Sequence, residues 1–483
     1  MLWNRNIKEL LIIFIILIIG IFLRIYNLNF EDFWIDEMVS FWAADPRYNI
    51  SDSVLRLTQA DLHILFNIVL KYYFAVFSYK IEIARYVPLI FSILSLFLIL
   101  YLALILQIRN IILILFLFSF NIYLIKFSQE LRSYSLIFFL TILTLIFFFK
   151  IIDENNKNKK LLTIFFILSQ IFLILTHVFT FIIFFSFLIF NLIFFLKNKK
   201  INKYLFISNV TVGVFIGFFL IIYLKYFKLG VDWLPQIQPK FYTNFFFSKF
   251  FGSRILGLVH LILLIYLIIK SKIFLPKHYN LKIIFILIIL FSYILPLIYG
   301  YSIKPILQDK YIIFVIIPII IVLVDFLTFI ENNFIKKTII SFLFIFTIAN
   351  FFTETTFKQF IVERKIHKPD LKSVFYEINK SNVKNYSFNL EKGNWTSDQI
   401  LNEILKNYSE KYIKKKNYKL NFYYYNNNAK VINYIDDLSF LWLICLNDLN
   451  GRECSIPIKF SEANIIEEKN FNLPRSKNQI LSF

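Results

Sequence analysis

A few short clusters of polar residues interrupt a chain otherwise built from long apolar runs, and each carries residue types suited to acid–base or anion chemistry. The first is Glu31-Asp32-Phe33-Trp34-Ile35-Asp36-Glu37, directly after the first apolar run. A carboxylate at an apolar boundary is costly unless it is paired or used, and one so placed can take a proton from an incoming hydroxyl as a general base. Asp36 and Glu37, flanked by Trp34 and Trp42, are the candidates; a solvated loop pair is the plainer reading. The second cluster, Gln129-Glu130-Leu131-Arg132-Ser133-Tyr134, opens another apolar run. Glu130 and Tyr134 share a helical face there, while Arg132 can grip a phosphate with its bidentate fork. Interfacial snorkelling of the arginine and belt placement of the tyrosine would explain the same residues.

The third group is Asp61-Leu62-His63-Ile64-Leu65-Phe66 with Lys71, followed by Glu82-Ile83-Ala84-Arg85-Tyr86. Lys71 and Arg85 either snorkel or meet an anionic head group, and His63 and His177, taken alone, read as hydrogen-bonded structural histidines more readily than as catalysts. The fourth is Gln308-Asp309-Lys310-Tyr311, whose lysine is a point charge suited to a phosphate. Trp233, in Asp232-Trp233-Leu234-Pro235, offers a face on which a sugar can stack or a lipid can slide. Asp325, inside an apolar run, reads as structural.

The elements that must position these groups are membrane spans. The chain has 483 residues, 58% of them hydrophobic and 20% aromatic, and many apolar runs approach the roughly 20 residues that cross a bilayer. Its net charge of +21 sits largely in the short connections, where lysine and arginine set orientation, so nucleic-acid binding is excluded as the reading of that charge. Arg5 and Lys8 precede a first run that lacks a small-residue cleavage site, which reads as a retained span. The only cysteines, Cys445 and Cys454, are too few for a metal-ligand pattern or a disulfide framework; they either close a hairpin or stay unpaired.

The runs at 8–27, 84–106, 110–127, 133–151, 161–177, 178–196, 204–224, 253–270, 282–300, 311–330 and 337–353 give about 11 candidate spans. If the intervening basic clusters are all cytoplasmic, the spans between them must come in pairs, and they do. The segment His63 to Tyr79, broken by Asn67 and Lys71, is then a juxtamembrane or partly inserted helix on the outer face. On this count the loop 28–83, the turn 126–132, the turn near His177, the loop 225–252 and the turn 301–310 all face the outside. From about residue 354 the composition turns to Asn, Lys and Glu. Helices are expected at 370–379 and 399–412, and strands at 419–425 and 440–446, which predicts a small outer-face α/β domain over 354–483 after a transmembrane domain over 1–353.

In their order along the chain these motifs resemble the membrane-embedded GT-C glycosyltransferases, in the bacterial branch related to protein O-mannosyltransferases and to the lipid A aminoarabinose transferase. The Trp-x-Asp-Glu of the first outer loop is Trp34-Ile35-Asp36-Glu37. The His-Pro-Pro helix is represented by His63-Ile64-Leu65-Phe66, without its prolines, and the Arg-Leu-Pro span start by Arg85-Tyr86-Val87-Pro88. The Ser-x-x-x-Arg-x-Tyr turn is Ser128 to Tyr134, and the late Arg-Tyr is Lys310-Tyr311, a lysine in place of the arginine.

The resemblance implies a polytopic α-helical fold in the plasma membrane and inverting transfer of a sugar from a polyprenyl-phosphate donor to a lipid, glycan or protein acceptor outside. It makes Asp36, with Glu37 and Glu130 behind it, the base. Arg132, Lys310, Arg85 and Lys71 become ligands of the donor phosphate, and His63, Tyr134, Trp34, Tyr311 and Trp233 line the substrate. No metal or other cofactor is required, although neighbouring carboxylates leave a divalent cation as an option. The rival expectations are a non-enzymatic transporter or flippase of lipid-linked sugars, which would carry polar groups deep within several spans, and a glycan polymerase or ligase.

Overall fold

The structure is a computed structural model that describes residues 6–60, 63–226, 236–271, 282–352, 371–380, 385–392, 398–413, 417–424, 441–447, 467–472 and 477–482. Asp61, Trp233 and Cys454, and with Cys454 the candidate disulfide, fall outside these residues. The chain is a mostly helical, multi-pass membrane protein: among the described residues nine helices are long and apolar enough to cross a bilayer. They are apolar on every side, so part of each helix is buried among its neighbours while side chains such as Phe218 and Ile255 stay exposed, a surface suited to lipid. The most enclosed is Lys310–Phe329.

Two further elements complete the set expected from the apolar runs. The helix Ile7–Ile25 is as long as the spans but carries Lys8, Glu9 and Arg24. The run 110–127, expected as one span, is instead two helices, Ile111–Ser119 and Ile122–Ser128, bent by 52°. Asn121 is the cause. Its Oδ1 accepts from the Leu124 amide at 3.0 Å and so starts a new helix, while its Nδ2 donates to the Phe250 carbonyl at 3.0 Å. The helix Ile64–Phe77, at 14 residues, rises only about 21 Å and falls short of the roughly 30 Å hydrocarbon layer.

The chain forms two compact units, and each is discontinuous in sequence. One comprises Met1–Tyr26, Asn49–Leu70 and Tyr86–Glu363; the other comprises Asn27–Tyr48, Lys71–Arg85 and Arg364–Phe483. In the first unit, the break after Ser119 leaves helix-end carbonyls without intrahelical partners in apolar surroundings. Arg24, fully buried, supplies them: Nη1 donates to Ser119 O at 3.0 Å and to Gly20 O at 2.8 Å, and Nη2 donates to Phe118 O at 3.1 Å. Nε donates to the Ser92 hydroxyl at 2.9 Å. The negative end of the helix dipole at Ser119 favours the cation. The approach requires a glycine, since a Cβ at Gly20 would lie 2.8 Å from that of Ser119.

The second unit contains a five-stranded sheet. Strands β1 (Asn385–Lys392), β2 (Asn417–Tyr424), β3 (Leu441–Asn447), β4 (Glu467–Asn472) and β5 (Lys477–Ser482) are ordered β2-β1-β3-β5-β4. β1 runs parallel to β2 and β3, and β5 antiparallel to β3 and β4. The parallel step from β1 to β2 is spanned by the helix Asp398–Tyr412, as such a crossover requires. Leu371–Lys380 is a second helix, and its Lys372 amide donates to Asp32 Oδ2 at 2.6 Å.

Arg24→Met keeps much of the apolar stem but strands the Phe118 and Ser119 carbonyls. The expected cost is roughly 2–6 kcal/mol, at about 1–3 kcal/mol per unsatisfied buried group. Thermal unfolding of the purified protein in one detergent measures it, and a melting temperature equal to that of the wild type would show that the break does not depend on this side chain.

Candidate functional site

In the first unit the residues of greatest chemical interest gather around the turn between helices Ile122–Ser128 and Tyr134–Ile152. Every residue from Phe127 to Tyr134 is buried. The turn is tied back to the first helix by Gln129, whose Nε2 donates to Arg24 O at 3.0 Å and to Tyr26 O at 2.7 Å. It is tightened by the Arg132 amide, 2.7 Å from Glu130 O.

Arg132 Nη2 lies 2.8 Å from His63 Nε2. On the other side of the same ring, Nδ1 is 3.0 Å from Thr176 O, the last residue of the helix Lys159–Thr176, and 2.8 Å from Ser133 Oγ. A carbonyl only accepts and a guanidinium only donates, which puts the proton on Nδ1 and the lone pair on Nε2. His177 stacks on His63 with centroids 5.1 Å apart and tilts against Tyr311 at 5.0 Å. Its own Nδ1 accepts from the Phe179 amide at 3.1 Å, the reverse of the donor role that Nδ1 has in His63. Tyr134 meets His63 edge-on at 6.4 Å and Phe127 at 4.9 Å. Lys310, half-buried, holds its ammonium 5.7 Å from the Tyr311 ring centre.

Glu130 belongs to this group. Its carboxylate is buried, and Oε2 finds no hydrogen-bond partner among the described residues. An oxygen so placed favours a ligand that brings a proton or a positive charge. Of the residues singled out in the sequence, His63, Glu130, Arg132, Tyr134, Lys310 and Tyr311 all fall in this unit. The motifs pointed to none of Ser133, Thr176 or the pairing of Tyr123 with Asp309, whose atoms meet at 3.0 Å. A backbone carbonyl carries no sequence signature, and Tyr123 and Asp309 are far apart in the chain.

The remaining described candidates, Trp34, Asp36, Glu37, Lys71 and Arg85, lie in the second unit, where the structure gives several of them other employment. Glu37 and Arg85, expected as a base and a phosphate ligand, are bound to each other: Nε to Oε1 at 2.9 Å and Nη2 to Oε2 at 3.0 Å, both side chains sealed from solvent. Arg85 also donates to Leu28 O at 3.1 Å, Glu31 O at 2.7 Å and Asp32 O at 3.3 Å, so all five of its donor hydrogens are engaged. It sits over the ring of Phe33 at 5.1 Å. Lys71, expected at the donor phosphate, is buried and donates to Asp45 O at 2.7 Å and to Tyr48 O, closing the chain after the helix Ile35–Ala43.

Trp34 precedes that helix and donates its amide to Glu37 Oε2 at 3.3 Å. Asp36 remains half-buried in the first helical turn, where a carboxylate is favoured by the helix dipole. The Phe33 amide donates to the Tyr408 hydroxyl at 2.9 Å. Burial pushes that hydroxyl well above the usual tyrosine range, with Asp32 adding to the shift.

Glu37→Gln leaves Arg85 buried without its counter-charge and is expected to cost about 3 kcal/mol. Arg85→Met is expected to cost more, because the carbonyls of Leu28, Glu31 and Asp32 lose their donor as well. Melting temperatures of the two variants rank the effects; the reverse order would show that the ion pair, not the carbonyl contacts, dominates. The chain matches no protein-family model and no curated protein, so the chemistry of the site rests on the residues themselves.

Proposed function

We propose that the protein is a glycosyltransferase related to the GT-C class, transferring a sugar from a polyprenyl-phosphate donor to a lipid, glycan or protein acceptor at the outer face of the plasma membrane. The observation that carries this reading is Arg132, a buried guanidinium fixed by His63 in a turn that also holds the Glu130 carboxylate. The acceptor oxygen attacks the anomeric carbon as the bond from that carbon to the phosphate oxygen breaks, with inversion, and polyprenyl phosphate departs as an anion. Arg132 stabilises the charge that develops on the phosphate, with Lys310 as a second cation. These cations do the work without a metal ion, while the carboxylates leave a divalent cation as an option.

Two carboxylates are alternatives for the base that takes the acceptor's proton. Asp36 is favoured by its motif and its half-exposed position, and Glu130 by its sealed, unpartnered oxygen. Glu37 drops out because Arg85 occupies both of its oxygens. Residues 354–483 are read as the outer-face domain of the enzyme.

One observation favours the transporter reading. Broken helices are a feature of secondary transporters, and the bent pair Ile111–Ser119 and Ile122–Ser128 is one. Against it, Arg24 commits four of its five donor hydrogens to Ser92, Gly20, Ser119 and Phe118, and transporters place such breaks in pairs, whereas one bent pair occurs among the described residues.

Purified protein incubated with the total lipid extract of the producing cells is expected to release free polyprenyl phosphate, followed by mass spectrometry. Arg132→Ala should lower that release at least about 100-fold, the effect of removing one strong transition-state donor. Whichever of Asp36→Asn and Glu130→Gln abolishes it names the base. Release that is unchanged in all three variants would sink the enzyme reading, and passage of lipid-linked sugar across vesicles by the Arg132→Ala protein would replace it with transport.

A further inference from the structure

We infer that His63 is a positioning residue: it does not touch the sugar donor but holds Arg132 in the orientation that meets the phosphate, through a lone pair that the rest of the fold keeps aimed at the guanidinium. This rests on the assignment of Arg132 to the phosphate and goes beyond it.

The geometry leaves the ring little choice. His63 precedes the helix Ile64–Phe77, and its carbonyl accepts from the Asn67 amide at 3.0 Å and from Asn67 Nδ2 at 2.9 Å, so its backbone is held. Its Nδ1 faces the Thr176 carbonyl at 3.0 Å, a helix-end acceptor that requires a donor. With the proton committed there, Nε2 is an acceptor and faces Arg132 Nη2 at 2.8 Å. His177 stacks against the ring at an interplanar angle of 30° and blocks its rotation on one side, while the edge of Tyr134 meets it on another. A long, flexible arginine otherwise loses rotamer freedom when it binds an anion; an acceptor already in place removes much of that loss. Because Thr176 closes one helix and His177 begins the next turn, the orientation of Arg132 is referred to a part of the bundle well separated from it in sequence.

The two amide side chains that imitate a histidine separate the roles of its nitrogens. Asparagine at 63 can still donate to Thr176 O from a position close to that of Nδ1, but it offers no acceptor to Arg132. Glutamine reaches the position of Nε2 and can accept from Arg132, but it abandons Thr176. If His63 acts through Arg132, His63→Gln keeps function and His63→Asn loses it. If His63 merely caps the helix ending at Thr176, the order reverses.

Two measurements read this. The first is binding of a polyprenyl monophosphate relative to the neutral polyprenol of the same length, in detergent. Wild type should prefer the phosphate, Arg132→Met should lose the preference, His63→Asn should lower phosphate affinity about 10-fold, the loss of one charge-assisted hydrogen bond, and His63→Gln should stay within about 3-fold of wild type. The second is the reactivity of Arg132 towards phenylglyoxal, read peptide by peptide: it should be slow in wild type and His63→Gln and fast in His63→Asn. Equal phosphate affinity in His63→Asn and wild type, or Arg132 equally protected in both, overturns the positioning role. Loss of the phosphate preference in wild type, or its survival in Arg132→Met, instead overturns the assignment of Arg132 to the phosphate. The reactivity pattern then still decides whether His63 orients it.

Discussion

A carbonyl at the end of a helix that stops inside an apolar environment must find a donor, because no water is there to supply one. Ser119 and Phe118 are in that position, and Arg24 is the donor. The consequence extends past the break. Gln129, at the other end of the short helix Ile122–Ser128, donates to the carbonyls of Arg24 and Tyr26. Both ends of that helix are therefore referred to the last turn of the first helix, and the turn carrying Glu130 and Arg132 emerges from a rigid, seven-residue strut. A charged residue that looks like a liability inside a span is what makes the break, and hence the turn, reproducible.

Arginines recur in this role. Arg85 closes the segment 28–37 upon itself by taking up three carbonyls and the Glu37 carboxylate, and Arg132 meets a histidine lone pair. Each guanidinium is nearly dehydrated, and Arg24 and Arg85 are satisfied mainly or wholly by groups distant in sequence. Arginine, with five donors in a flat fork and a weakly hydrated charge, suits this better than lysine. Lys71 shows the lesser version, an ammonium on two carbonyls that closes one turn of chain.

Much of the architecture could be read from the amino acids, and the limit is physical. Long apolar runs force helices, so the spans fall where hydropathy puts them, and the shortness and polarity of the segment after His63 agree with a helix of 14 residues. β2 and β3 overlie the stretches 419–425 and 440–446, whose composition favours strands. What hydropathy cannot carry is partnership. Asn121 barely dents an apolar run, yet as an N-cap it splits a span. Glu37 looks catalytic beside Asp36 because adjacency in sequence says nothing about Arg85, 48 positions away. His63 and Arg132 were both visible as polar residues at span boundaries; that one accepts from the other follows only from the Thr176 carbonyl, which has no signature in a sequence.

The second unit has a consequence for how the chain can be divided. Its sheet and helices come from the C-terminal third, but Asp32 caps the helix Leu371–Lys380, Phe33 donates to Tyr408, and Arg47 pairs with Glu403 at 2.7 Å. These contacts stitch two early segments into a late one, so no single cut releases the unit whole. A fragment beginning near residue 354 would lack the cap of its first helix and the donor to a buried tyrosine. The C-terminal portion is thus not a module that could be appended to or exchanged from a helical bundle. A chimera that swaps it without the segment 27–48 inherits a broken interior.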